Sequence, residues 1–129
     1  MYRHLLIATD GSELAQKAVT EGLALAQELK ATVTAVTVTE PLTSMFAADG
    51  MIALSIEDYN NAATASAEEI LAGVSSAAKQ SGVSCETVHV KEQFPAEGIV
   101  ETARAIKCDL IVMASHGRRG LARRAHVRW

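Results

Sequence analysis

Short apolar, β-branched runs alternate with longer segments of helical period along this chain, and that alternation narrows the available folds more than any other feature. His4 to Thr9 is apolar at its centre, and Asp10-Gly11-Ser12 ends it. Ala15, Ala18, Val19, Gly22, Leu23, Ala26 and Leu29 then recur at helical spacing, which predicts a helix near 13–30. Thr32 to Thr39 alternates Val with Thr and Ala, a strand pattern that Pro41 closes. Residues 40–55 have no clear period and read as a loop. Tyr59, Ala63, Ser66, Ala67, Ile70, Val74, Ala77 and Ala78 mark a long second helix, which Ser81-Gly82 ends. Val83 to Val90 reads as a third strand. Pro95 opens a third helix as a first-turn proline, with Ile99, Ala103 and Ile106 on its inner face. Leu110 to Ala114 is the fourth strand.

The order β-α-β-loop-α-β-α-β predicts an α/β fold, a doubly wound parallel sheet with helices on both faces and right-handed crossovers. If the first two crossovers run one way and the last runs the other, the strand order is 3-2-1-4. Ligands in such sheets bind beyond the carboxyl ends of the strands, where the order reverses. Asp10 and Ser115 are therefore expected to face each other across a crevice. The fourth strand is expected to carry an open apolar edge, covered by a second copy of the chain or by residues 121–129.

At 129 residues, 49% hydrophobic and 4% aromatic, the chain suits one domain with a core of Ala, Val, Leu and Ile. Cys85 and Cys108 show no Cys-x-x-Cys spacing, which predicts buried thiols in a reducing cytoplasm and not a disulfide framework or a zinc site. The opening apolar run is too short for a signal-peptide core or a membrane span, so a cytoplasmic location without membrane partners is expected. The net charge of −3 hides an asymmetry: residues 115–129 hold five arginines and no carboxylate, leaving the rest with seven cationic side chains against fifteen acidic ones. An anion is welcome only at the C-terminal end.

The fourth strand runs into Ser115-His116-Gly117-Arg118-Arg119-Gly120. Glycines let a backbone approach an anion, and the first N–H groups of a following helix would point at it, so the segment reads as a phosphate cradle. The plainer structural reading is a turn needing positive φ. Asp10 has two readings as well: a crevice ligand, or the N-cap of the first helix with Glu13 completing a capping box. Ser115 and His116 are adjacent and point different ways, no acid is placed to orient the histidine, and Gly-x-Ser-x-Gly is missing, so no catalytic residue is assigned and no enzymatic activity expected. His4, His89 and His126 lack ligand spacing, and no metal site is readable.

The chain resembles the universal stress protein family of the UspA type. The matching pieces are Ile7-Ala8-Thr9-Asp10-Gly11-Ser12, Val36-Thr37-Val38, and Cys108-Asp109-Leu110-Ile111-Val112-Met113-Ala114-Ser115-His116-Gly117-Arg118-Arg119-Gly120-Leu121. The resemblance runs from about residue 2 to about residue 121. It implies an adenine-nucleotide alpha-hydrolase-like fold with five strands, dimerisation, and in a subset of members ATP binding. That subset carries Gly-x-x-Gly, nine residues, then Gly-Ser or Gly-Thr. Gly117 and Gly120 supply the first half; nine further positions reach Trp129, so the second half and the family's fifth strand are expected to be missing from a single, C-terminally shortened domain over 1–129, by truncation or a shifted reading frame.

By resemblance, the cofactor-binding set is Asp10, Val38 (its backbone at the adenine edge), Met113, Ser115, His116, Gly117, Arg118, Arg119 and Gly120. A half cradle gives up two or three charge-assisted hydrogen bonds of roughly 1.5–3 kcal/mol each. Losing about 4 kcal/mol turns a micromolar site into a millimolar one. ATP binding, with Mg when bound, is therefore expected to be weak or absent. The implied function is a cytoplasmic stress-response protein acting by binding and homodimerisation. The alternative is an ATP-binding switch at Gly117–Gly120 with slow or no hydrolysis. RNA-binding KH domains also use Gly-x-x-Gly, but here the motif follows a strand in an acidic, aromatic-poor chain, so nucleic acid is not an expected partner.

Overall fold

The run that opens the chain becomes the middle of the sheet. The computed structural model describes residues 2–41, 56–116 and 122–128. In chain order these form β1 (His4–Ala8), α1 (Glu13–Leu29), β2 (Thr32–Thr39), α2 (Ile56–Gln80), β3 (Cys85–Lys91), α3 (Pro95–Ile106), β4 (Leu110–His116) and β5 (Ala122–Arg128). The loop expected over 40–55 lies, from residue 42 onward, outside the described residues.

The sheet order is β3-β2-β1-β4-β5. The first four strands are parallel, as the alternation predicts, with Leu5 in register with both Val33 and Leu110. β1 is flanked on both sides and covered on both faces, so Leu5, Leu6 and Ile7 are fully buried. Leu5 and Ile7 join Val19, Leu23, Val33, Leu71, Val74, Leu110 and Val112 in a core beneath α1 and α2. Leu6 and Ala8 join Val36, Ile99, Ala103 and Ile111 in a smaller core beneath α3. α1 lies close to the sheet at Gly22, where a Cβ would stand 2.7 Å from Ile7 Cδ1.

The expectation of a missing fifth strand is corrected. β5 covers the edge of β4 in antiparallel register, from Leu110 opposite Arg128 to His116 opposite Ala122. Of the two covers expected for that edge, the chain's own tail supplies it. The absent apolar pattern misled because main-chain groups make the ladder, and charged residues are tolerated on an edge strand. Direction follows from length: five residues separate β4 from β5. A parallel strand needs a crossover of a dozen or more, whereas an antiparallel one needs only a short turn.

Two smaller corrections concern caps and thiols. The N-cap of α1 is Ser12, whose Oγ accepts from Ala15 N at 3.2 Å, and not Asp10 with Glu13. Gly11, at φ 83°, places Ser12 as the last extended residue before the helix. Cys108 is buried as expected, but Cys85 is only half-buried, and burial pushes its thiol pKa up. Neither forms a disulfide.

The amino edge of the sheet is stitched by Asp109, whose carboxylate accepts from Arg3 N at 2.9 Å and His4 N at 3.0 Å while Asp109 N donates to His4 O at 3.0 Å. Burial would raise the pKa of Asp109, but those main-chain donors and the nearby His4 charge outweigh it and hold the carboxyl below its ordinary range.

Candidate functional site

At the carboxyl edge β1 ends in Thr9-Asp10-Gly11-Ser12, and the chain must turn over the sheet to begin α1. Three local hydrogen bonds build that turn: Gly11 N to Thr9 Oγ1 at 3.1 Å, Ser12 N to Asp10 Oδ1 at 2.9 Å, and Ala15 N to Ser12 Oγ. Thr9 N is fixed in turn by Val36 O at 3.0 Å, which ties the turn to β2. The Asp10 carboxylate is thus oriented by its own turn while its side chain stays exposed.

A crevice with about 590 Å³ of empty volume, part of it open to solvent, lies beside this turn. It sits between β1 and β4, where the strand order reverses. Thr9, Asp10 and Ser12 give it a polar end. Val36 and Val38 from β2, Met113 and Ala114 from β4, and Pro95 and Ile99 from α3 give it an apolar slot. Asp10 is the one ionisable side chain among the described lining residues, and it also borders two further depressions against α2. Such an arrangement holds an apolar ring in the slot and hydroxyl or amino groups at the polar end.

Of the residues singled out in the sequence, Asp10, Val38 and Met113 come together in this crevice. Ser115 and His116 are the last two residues of β4, paired with Arg123 and Ala122. Gly117, Arg118, Arg119 and Gly120 lie outside the described residues. Sequence reasoning missed Thr9, Ser12, Pro95 and Ile99. Thr9 and Ser12 flank Asp10 and were within reach as hydroxyls bracketing a carboxylate; Pro95 and Ile99 reach the crevice only through the third crossover. Nearby, His89 Nε2 and Thr39 Oγ1 share a hydrogen bond of 2.7 Å. Burial, then Lys91, lowers the His89 pKa, against an opposing pull from Glu68. Among the described residues no three His, Cys, Asp or Glu side chains stand close enough to share a metal ion, and no helix is long and apolar enough to cross a membrane.

Sheet order, crossovers and a crevice at the reversal point define a doubly wound α/β protein with a binding crevice at its carboxyl edge. The chain matches the universal stress protein family over residues 1–126. It is 34% identical over 125 residues to universal stress protein MJ0531 of Methanocaldococcus jannaschii, covering 95% of this chain and 70% of that one. It superposes on a crystal structure of a universal stress protein family member from Burkholderia pseudomallei with a TM-score of 0.78 at 26% identity, over 89% of this chain and 83% of that one. A family protein from Arabidopsis thaliana, solved with AMP bound, shares the fold with a TM-score of 0.66 at 16% identity, over 90% of this chain and 78% of that one. This chain belongs to the universal stress protein family.

Proposed function

We propose that this chain is a cytoplasmic stress-response protein that works by reversible binding and self-association, without turnover, and that its crevice takes an adenine nucleotide while holding ATP weakly or not at all. The observation that carries the reading is one crevice joining an apolar slot, Val38–Ile99–Met113, to a polar end built from Thr9, Asp10 and Ser12. A purine ring suits the slot, and sugar hydroxyls suit the carboxylate and the two side-chain oxygens. The AMP-bound Arabidopsis relative supports a nucleotide as the occupant. The two free thiols support a reducing compartment. Among the described residues lining the crevice Asp10 is the one titratable side chain, which supports binding over acid–base chemistry.

Equilibrium dialysis with labelled ATP and AMP tests this. ATP is expected to bind in the millimolar range. Saturable ATP binding below about 100 μM, equivalent to about 5.5 kcal/mol, overturns the weak-binding reading. Sedimentation at micromolar protein is expected to show a dimer, and a strictly monomeric species removes the self-association.

A further inference from the structure

We infer that self-association runs through the outer edge of β3, where a second copy of the chain pairs antiparallel about Val88 and carries the sheet on; this rests on the self-association reading above. An open sheet has two edges, and each presents main-chain groups to a further strand. Among the described residues those edges are β3 and β5. Their chemistry differs. β5 carries Arg123, Arg124 and Arg128 and no carboxylate. Two copies of it side by side gather like charges, which destabilise a ladder. β3, Cys85-Glu86-Thr87-Val88-His89-Val90-Lys91, carries one acid and one base, with no proline or glycine to interrupt pairing. Among the described residues no strand pairs with its outer side.

The ladder to β2 fixes which groups of β3 are presented. Val33 pairs with Cys85, and Val33 N donates to Ser84 O at 2.9 Å. In a parallel ladder that pattern repeats at every second residue. The main-chain groups of Glu86, Val88 and Val90 therefore turn to β2, and those of Cys85, Thr87, His89 and Lys91 turn outward. Val88 is the midpoint of the strand. A two-fold axis there sets Thr87 opposite the second copy's His89 and Cys85 opposite its Lys91. Every outward residue then meets another, which allows about eight main-chain hydrogen bonds. No like charges stand opposed, because Glu86 falls opposite Val90. Val88 and Val90, only half-buried against the smaller core, meet the second copy's valines on the same face. Such a contact uses the same patch on both chains and closes at two copies.

The test is sedimentation of the full chain and two variants. Thr87→Pro removes an outward N–H and leaves the bonds to β2 in place. It is expected to keep the urea midpoint and to weaken dimerisation at least tenfold, while Arg124→Glu on β5 shifts it less than threefold. Oxidative cross-linking supplies a second measurement, in a Cys85→Ser background. Val88→Cys should form a disulfide-linked dimer, since the two Cα atoms stand roughly 4.5 Å apart across the axis. Glu86→Cys, opposite Val90, should not. A dimer that survives Thr87→Pro, or that responds to Arg124→Glu instead, overturns the inference and leaves self-association intact. Equal cross-linking at the two positions, or growth beyond two copies, also overturns it. A parent chain that stays monomeric up to about 100 μM overturns self-association and the inference together.

Discussion

Two aspartates mark opposite ends of the same central strand, and the structure uses them in opposite ways. Asp109, at the amino edge, has its carboxylate taken up by Arg3 N and His4 N, and its pKa is held low. Asp10, at the carboxyl edge, accepts from Ser12 N within its own turn and borders three depressions in the surface. The first carboxylate spends its charge on holding β1 to β4. The second is aimed by a bond within its own turn and lines the crevice at the far edge. In an open α/β sheet the carboxyl edge is where ligands bind, so charge at the two ends should affect different measurements.

The largest effect should come from disturbing both ends together. Gly22→Val puts side-chain carbons where Ile7 already sits, with a Cβ contact of 2.7 Å. About 3 kcal/mol of stability should be lost, with unfolding midpoint and nucleotide affinity falling together in urea titrations. Asp109→Ala should cost about 1.5 kcal/mol, since two main-chain donors lose a charged acceptor in a partly exposed setting, while ligand affinity at the far edge stays as it was. If affinity falls in step with stability, the two ends are not separate.

Acid sharpens the contrast. A carboxyl whose folded pKa lies below its unfolded value contributes stability that is fully present above the ordinary aspartate range, about pH 4, and is lost as pH falls through the folded pKa. Urea midpoints measured from pH 5 down to pH 2.5 should fall less steeply in Asp109→Asn than in the parent chain; equal slopes refute the role given to Asp109. The smallest effect on stability should come from Asp10→Asn. That change should leave stability within about 0.5 kcal/mol but change AMP affinity at least threefold, measured by dialysis.

The features legible in the sequence are those set by local pattern. Ala18, Leu23 and Ala26 sit at helical spacing and do pack inward. Val33 and Leu110 fall in buried strands, and the reversal of strand order follows from the crossovers. Other features escaped because their cause was not local pattern. Ser12 takes the cap from Asp10 because Gly11 adopts a positive φ between them. β5 carries no apolar signature because its register is made by main-chain bonds to β4. In the crevice, Asp10, Val38 and Met113 could be named from motif resemblance. Pro95 and Ile99 could not, since nothing in their own neighbourhood says that α3 begins over β2.

The reversed edge strand has a kinetic consequence. β1, β2, β3 and β4 are joined by long crossovers, so their pairings close large loops and form slowly. β4 and β5 are neighbours in sequence, separated by five residues, and their ladder can zip and unzip without disturbing the rest. In native-state hydrogen exchange, amides of β4 that face β5 should therefore trade with solvent well before those of β1. The rim of the molecule would breathe on its own clock while the centre keeps the slower time of global unfolding.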